Sequence, residues 1–373
     1  MLRGRGVIMS VQSESKESAL HVMTGVKGGH DGMNQSSPKK FRKKAHEPLD
    51  YRKTAEQIRS GNRTALAKAI TLIESSNPNH MTDAQNLLKE LLPHTGRSIR
   101  IGITGVPGAG KSTFIETFGT MLCQMGKKVA VLAIDPSSTL SGGSILGDKT
   151  RMENLVREPN SFVRPSPSAG TLGGVHKKSR ETMLLCEAAG YEVILIETVG
   201  VGQSETYVRG MVDFFMLLVL TGAGDELQGM KKGIMELADG IIVHKADGDN
   251  LPLARKTVRE YKQMLHFLQP STPTWTSKAM MVSSYEKTGL TDVWEMLEQF
   301  KETTLASGVF TYRRHTQTKE WFHQMIKDHL IDSFYHDEKR KKQITKLEED
   351  ILHGEITVSQ GLAELFDNKY RQV

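Results

Sequence analysis

A glycine-rich segment of eight residues has the residue types that bind phosphate groups. It follows an apolar run that ends at Thr104 and precedes a predicted helix that begins at Thr113. In such a segment the glycines let backbone N–H groups face the β- and γ-phosphates, the lysine adds a positive charge, and the serine offers a hydroxyl to Mg²⁺. The Lys-Ser pair disfavours a dinucleotide-binding turn. The predicted phosphate-binding residues are therefore Gly105, Val106, Pro107, Gly108, Ala109, Gly110, Lys111, Ser112 and Thr113.

Acidic residues further along the chain could act on the same phosphates. Asp135 follows one predicted strand, where it could hold a Mg²⁺-bound water or the attacking water, or serve only as a helix or turn cap. Asp148 lies in a loop whose composition suits a switch segment. Glu197 ends another strand, where a carboxylate orders Mg²⁺ water, and Gly200 can aim its N–H at the γ-phosphate. The predicted catalytic residues are Lys111, Asp135, Asp148, Glu197 and Gly200, and the predicted metal ligands are Ser112, Asp135, Asp148 and Glu197.

A third group of residues could recognise the base. His244-Lys245-Ala246-Asp247 stands in the place of the guanine-reading Asn-Lys-x-Asp motif. Asp247 can accept from guanine N1 and N2, which adenine cannot satisfy, and leaving such a buried acceptor unpaired costs about 1–3 kcal/mol. Lys245 can lie along the base and sugar. His244 departs from the usual asparagine, although a histidine N–H can still donate. Ser283 and Ser284 fit the loop whose backbone N–H meets guanine O6.

These residues require a parallel sheet to position them. Short apolar runs alternate with longer amphipathic stretches between residues 98 and 300. The runs are apolar on both faces, as in strands covered by helices, which predicts a doubly wound, mostly parallel α/β domain. None is long enough to span a bilayer. The predicted strands are Ile99–Thr104, Val129–Ile134, Val193–Glu197, Phe214–Leu220, Ile241–Val243 and Met280–Val282.

Helical patterns flank this domain. We predict a disordered basic leader over residues 1–48, an N-terminal helical segment over 49–95, the phosphate-binding domain over 96–304 and a C-terminal helical arm over 305–373. Apolar residues recur at helical spacing in the arm, as at Phe322, Ile326 and Leu330. Such helices must cover this surface, either against their own domain or against a second subunit.

Composition limits the partners and the compartment. The formal net charge is +6, and the 12 Lys/Arg and 6 Asp/Glu of residues 1–60 account for all of it. The rest of the chain is balanced, which argues against a nucleic-acid-binding face. Two cysteines, Cys123 and Cys186, are typical of a reducing compartment. We expect a bacterial cytoplasm, with the mitochondrial matrix as the alternative, and no membrane or nucleic-acid partner.

Taken together, these motifs resemble the methylmalonyl-CoA mutase-associated GTPases, called MeaB in bacteria. The resemblance covers roughly residues 50–370, and its blocks include Gly102–Thr113, Ala133–Met152, Ile196–Glu205 and Thr221–Gly233. It implies GTP/GDP and Mg²⁺ as ligands, and a homodimer formed through the C-terminal arm. It further implies a chaperone of an adenosylcobalamin-dependent, methylmalonyl-CoA mutase-type enzyme that gates cofactor loading and protects or reactivates the mutase. An additional switch loop would couple nucleotide state to the mutase through Asp225, Gln228 and Lys231.

Two alternative functions follow from related protein classes. A metallocentre-insertion GTPase would need a cluster of cysteine and histidine ligands, which the isolated Cys123 and Cys186, with His176 and His244, do not form. A nucleotide-dependent kinase linked to amino-acid transport would need a phosphoacceptor site, and the sequence offers none.

Overall fold

The computed structural model describes residues 49–75, 77–134, 152–165, 172–198, 204–222 and 232–370. In this part of the chain, seven parallel strands form one sheet. They are β1 Ile99–Gly105, β2 Val129–Ile134, β3 Ser161–Pro165, β4 Val193–Thr198, β5 Phe214–Val219, β6 Gly240–Val243 and β7 Lys278–Met281. Their order across the sheet is β3-β2-β4-β1-β5-β6-β7, so β1 lies in the middle.

Helices precede, separate and follow these strands. Those in the described residues are α1 Tyr51–Arg59, α2 Arg63–Glu74, α3 Pro78–Leu91, α4 Lys111–Gln124, α5 Glu153–Arg157, α6 Leu172–Ala188, α7 Ser204–Arg209, α8 Lys232–Leu237, α9 Leu251–Phe267, α10 Leu290–Ala306, α11 Val309–Tyr335, α12 Glu338–Leu352 and α13 Val358–Tyr370.

The sheet is covered on both faces, as the apolar strands predict. Successive residues of a strand point to opposite faces, and β5 shows the consequence. Phe215 packs into a core with helices α1, α2, α3 and α6, whereas its neighbours Phe214 and Met216 pack into a second core with α4 and α10. Leu217 returns to the first face, where α8 and α9 cover it. The predicted doubly wound, parallel α/β fold is therefore confirmed.

One strand was absent from the prediction. β3 pairs with β2 at the edge of the sheet, with Val129 opposite Ser161 and Leu132 opposite Arg164. Its five residues include a serine, an arginine and a proline, so it lacks the continuous apolar run of the inner strands. An edge strand has a neighbour on one side only and tolerates such residues. The bounds of the other strands differ from the prediction by at most two residues.

The N-terminal helices are part of this packing. Asp50 and Asn62 cap α1 and α2, since their side chains accept from the backbone N–H groups of Lys53 and Ala65 at 3.0 Å. Caps of this kind satisfy N–H groups that the first helical turn leaves without partners. The buried faces of α1, α2 and α3 share one hydrophobic core with α6 and the sheet.

The long helix α11 is joined to the sheet by buried charges at the amino ends of the strands. Arg314 donates to both carboxylate oxygens of Asp213, at 2.8 and 2.7 Å, and also to the carbonyls of Gly96 and Ser98 at 2.7 Å. Arg313 lies 3.7 Å from the carboxylate of Asp239. The carbonyl ends of the strands, which carry the predicted site, lie at the opposite edge.

Beyond these arginines the helices expose much apolar surface. Phe322, Ile326 and Leu330 are 65%, 40% and 59% exposed, and Leu362 on α13 is 58% exposed. Phe334 of α11 stacks on Phe366 of α13 with ring centroids 5.1 Å apart, so part of the arm packs on itself. Among the residues that the structure describes, no helix is long and apolar enough to cross a membrane.

Several predicted residues lie outside the described residues. They are the leader, 1–48, the candidate acids Asp135 and Asp148, the candidate switch residue Gly200, and the coupling residues Asp225, Gln228 and Lys231. Their roles stay predictions.

Candidate nucleotide-binding site

The carbonyl ends of β1 and β4 bring together two of the motifs that the sequence assigned to Mg²⁺, those of Ser112 and Glu197. The strands pair in register, with Ile103 of β1 opposite Glu197 of β4. The glycine-rich loop follows β1, and α4 then returns over the sheet. As a result, the Ser112 hydroxyl donates to Glu197 Oε1 at 2.8 Å, although 85 residues separate the two in sequence. Glu197 is only 7% exposed.

The end of the loop has a backbone conformation that only glycine adopts readily. Gly110 has a φ of 85°, a left-handed conformation that favours glycine, and it is followed directly by α4. The first N–H groups of a helix have no partner within the helix and carry the positive end of its dipole. Those of Lys111, Ser112 and Thr113 are in the first turn of α4. This end of α4 is suited to bind an anion.

Lys111 folds back onto its own loop. Its Nζ donates to the carbonyls of Gly105 and Val106, at 2.8 and 3.3 Å. Burial lowers the pKa of Lys111, while the negative charges of Glu197 and Glu205 act to raise it. A phosphate at the loop would add negative charge beside the ammonium, which favours its charged form. Lys111 could therefore exchange its carbonyl contacts for phosphate oxygens.

A network of buried polar side chains beside the phosphate loop was not predicted as part of the site. Glu205, on α7, is 3% exposed and accepts from the Thr104 hydroxyl at 3.1 Å. The Thr198 hydroxyl donates to Thr104 Oγ1 at 2.9 Å. This hydrogen-bond network thus links the ends of β1 and β4 to the first turn of α7. The sequence gives little sign of this network. Glu205 follows Gln203 by two residues, in a stretch that otherwise has the composition of a solvated loop.

α7 lies unusually close to β1. A Cβ atom added at Gly102 would lie 2.8 Å from Cγ1 of Val208, a distance that real contacts do not allow. Gly102 therefore permits α7 to pack directly on the strand that leads to the phosphate loop. This close packing brings Glu205 beside Thr104.

The predicted base-reading residues lie after β6 and β7. The Ser283 hydroxyl donates to Asp247 Oδ2 at 2.7 Å, which orients the carboxylate without exhausting its capacity to accept. Lys245 has a φ of 57°, and its carbonyl accepts from Asn250 Nδ2 at 2.6 Å. Asn250 Oδ1 in turn accepts from the Thr221 hydroxyl at 2.7 Å. These bonds hold the loop in a conformation that a lysine seldom adopts.

His244 occupies the contact between the base loop and the phosphate loop. It is 2% exposed, and its Nδ1 and Nε2 lie 2.7 Å from the Ala109 carbonyl and the Ser284 hydroxyl. A Cβ added at Gly110 would lie 2.7 Å from Nδ1, so the ring packs against the loop backbone. Burial lowers the pKa of His244. The predicted base and phosphate residues therefore meet at this side chain.

The residues present fit a nucleotide and a divalent cation. A serine hydroxyl and a carboxylate are hard oxygen ligands of the kind that Mg²⁺ prefers, and Ser112 and Glu197 are in direct contact. Within the described residues there is no group of three or more His, Cys, Asp or Glu side chains that could hold a metal on its own.

Comparison with known proteins places the chain among GTPases. The family model described as "Methylmalonyl Co-A mutase-associated GTPase MeaB" matches residues 66–339. A putative GTPase of Caulobacter vibrioides is 50% identical over 311 residues, which cover 83% of this chain and 95% of that protein. The mitochondrial methylmalonic aciduria type A homolog of Mus musculus is 44% identical over 307 residues, which cover 80% of this chain and 74% of that protein. The crystal structure of an LAO/AO transport system kinase matches with a TM-score of 0.70 at 36% identity, covering 87% of this chain and 98% of that one.

Proposed function

The chain belongs to the MeaB family of methylmalonyl-CoA mutase-associated GTPases, and we propose that it is the chaperone of an adenosylcobalamin-dependent acyl-CoA mutase. It binds GTP and GDP with Mg²⁺, and hydrolysis of GTP times the loading of the cofactor into the mutase. The observation that carries the proposal is the family match over residues 66–339, because its description names the mutase. The proposed compartment is a bacterial cytoplasm, with the mitochondrial matrix as the alternative.

The residues at the phosphate end of the site have distinct roles in this proposal. Ser112 and Glu197 would hold the Mg²⁺ ion, which neutralises phosphate charge when bound. Lys111 leaves the carbonyls of Gly105 and Val106 and pairs with the β- and γ-phosphates. Stabilising charge on the phosphates in this way accounts for most of the catalysis in phosphoryl transfer. Asp135 or Asp148 would order the attacking water.

α7 supports a role in signalling to a partner, because it joins the phosphate site to the arm. At its start, Glu205 accepts from Thr104 beside the phosphate loop. At its end, the Arg180 guanidinium donates to the Gly210 carbonyl at 2.6 Å and to the Gln317 carbonyl, on α11, at 3.2 Å. The Gln317 amide donates to the Val212 carbonyl at 2.8 Å. A movement at the phosphate site would therefore reach α11 through one short helix.

A cleft of about 190 Å³ separates α7 from the next turns of α11. Thr206 and Tyr207 line one side, and Trp321 and Met325 line the other. Arg180 lies over the Trp321 ring, 5.5 Å from its centroid. The cleft leaves room for α7 to shift against the arm.

The arm is the proposed dimer interface. Phe322, Ile326 and Leu330 recur every four residues along α11 and are 40% or more exposed. A continuous apolar stripe of this kind is typical of a surface that another subunit covers. The sequence left two possibilities for these side chains, and their exposure favours contact with a second copy.

The chaperone proposal is tested with purified protein and a methylmalonyl-CoA mutase. We expect a complex whose stability depends on whether GDP, GTP or a non-hydrolysable GTP analogue is bound, and a change in GTP hydrolysis rate of more than about twofold on mutase addition. Gln317→Leu should reduce this response while leaving basal hydrolysis near the wild-type rate. Gln299→Leu, at an exposed position on α10, serves as the control. Absence of a complex in every nucleotide state would refute the chaperone role and leave the GTPase activity standing.

The dimer proposal is tested by light scattering after size-exclusion chromatography. Leu330→Lys places a charge within the exposed stripe and should yield a monomer, because burying an unpaired charge at an interface is costly. His329→Lys adds a lysine at the adjacent exposed position and should leave a dimer. A wild-type monomer, or equal masses for both variants, would count against the arm as the interface.

A further inference from the structure

His244 uses both of its ring nitrogens within the protein. Nδ1 lies 2.7 Å from the Ala109 carbonyl oxygen, and Nε2 lies 2.7 Å from the Ser284 hydroxyl. The ring is enclosed, with an exposure of 2%, and the ring of Phe114 stands edge-on to it with centroids 6.0 Å apart. It therefore joins three elements: the phosphate loop, the end of β6 and the loop after β7.

The identity of these partners fixes the position of the proton. A carbonyl oxygen can only accept, so Nδ1 must carry the hydrogen that it shares with Ala109. Burial disfavours the charged form of His244 and lowers its pKa, which favours the neutral ring. A neutral imidazole has a single N–H, and its other nitrogen accepts. Nε2 therefore accepts the hydroxyl proton of Ser284.

Guanine presents hydrogen-bond donors on one edge and acceptors on two. Its N1 and N2 groups donate, which suits Asp247, and O6 and N7 accept. An asparagine at position 244 would carry two amide hydrogens, one for the Ala109 carbonyl and one for a base acceptor. A neutral histidine has a single N–H hydrogen, and the Ala109 carbonyl already accepts it.

We propose that His244 fastens the base loop to the phosphate loop and supplies no hydrogen bond to guanine N7, so that the site recognises guanine through its N1, N2 and O6 edge alone. The inference rests on the proposed guanine site. It makes His244 a residue that determines which purine analogues bind. The ligand class that follows is the 7-deazaguanine nucleotides, in which a C–H group replaces N7 and cannot accept.

The test compares binding of GDP and 7-deaza-GDP to the full chain by calorimetry. Loss of a hydrogen bond to a buried donor weakens binding by about five- to a hundredfold. We expect the wild type to bind both nucleotides within about twofold, because no donor is left unpaired. His244→Asn should restore a donor, so that the variant binds GDP at least about fivefold more tightly than 7-deaza-GDP. A wild type that binds 7-deaza-GDP at least about fivefold more weakly than GDP would overturn the inference.

ADP separates this failure from failure of the guanine site. If the wild type binds ADP as tightly as GDP, or binds neither, the guanine site itself is refuted, and the inference with it. If GDP is preferred over ADP but 7-deaza-GDP is rejected, only the inference falls. The ¹⁵N spectrum of the histidine ring gives a result that does not depend on the variant's folding. The Nδ1–H tautomer is expected for His244, and the Nε2–H tautomer would overturn the assignment.

Discussion

Replacement of Arg314 by methionine should reveal how strongly α11 is tied to the sheet. Arg314 donates to both oxygens of Asp213 and to two backbone carbonyls, each at 2.7 to 2.8 Å. Its side chain is 14% exposed and that of Asp213 is 1% exposed. Methionine keeps much of the apolar stem but leaves Asp213 buried without its ionic partner. Breaking a buried pair in this way costs about 3–5 kcal/mol.

That loss is large against the total stability of a folded protein, which is about 5–15 kcal/mol. We expect urea unfolding, followed by tryptophan fluorescence, to show it as a lower free energy of unfolding. Lys341→Met is the matched control. Its partner Glu338 lies at 2.8 Å, almost the same distance, but the two side chains are 48% and 77% exposed. Exposed pairs contribute about 0–1 kcal/mol, so this variant should unfold nearly as the wild type does.

A loss of less than about 1 kcal/mol in Arg314→Met would contradict a strong buried contact. The result would then match an exposed pair, and burial would not set the strength of the contact. A second variant checks the cause. Adding Asp213→Asn to Arg314→Met removes the unpaired charge, so the double variant should be more stable than Arg314→Met alone.

Three further predictions concern the nucleotide site. Glu197→Gln keeps the side-chain size but removes the charge, so we expect GTP hydrolysis to need a higher Mg²⁺ concentration; an unchanged Mg²⁺ titration would contradict the role. Asp247→Asn sets an amide against the guanine donors and should weaken GDP binding by about 1–3 kcal/mol, whereas an equal loss for ADP would argue against base recognition. The lowered pKa of His244 means that the unfolded chain binds more protons below about pH 6.5, its ordinary value. Stability should therefore fall as the pH drops through that range, and His244→Asn should show a shallower fall in thermal melts.

The sequence revealed the phosphate loop because its chemistry is local. Eight consecutive residues between a strand and a helix carry the pattern, and their conformation depends on near neighbours. The position of Glu197 followed from a general rule, since the carbonyl ends of parallel strands meet at one edge of the sheet. Its contact with Ser112 depends on β4 lying next to β1, and this strand order cannot be read from periodicity.

Buried polar residues were harder to predict. Glu205 and Asp213 are only 3% and 1% exposed, although aspartate and glutamate side chains usually face solvent. Each is buried because a partner distant in sequence satisfies it, Thr104 for Glu205 and Arg314 for Asp213. For His244, the sequence showed the departure from asparagine. It did not show that the protein itself would occupy both ring nitrogens.

The anchoring of α11 also has a consequence for protein engineering. Arg313, Arg314 and Gln317 lie in the first three turns of the helix, and all of them bind groups at the amino edge of the sheet. A chain truncated at the start of this helix would lack these partners of Asp213 and Asp239. Chimeras that exchange arms between relatives should therefore be joined within α11, after Trp321, where the side chains turn outward. The arm that can be exchanged therefore begins in the middle of α11, and the loop before α11 is not a suitable junction.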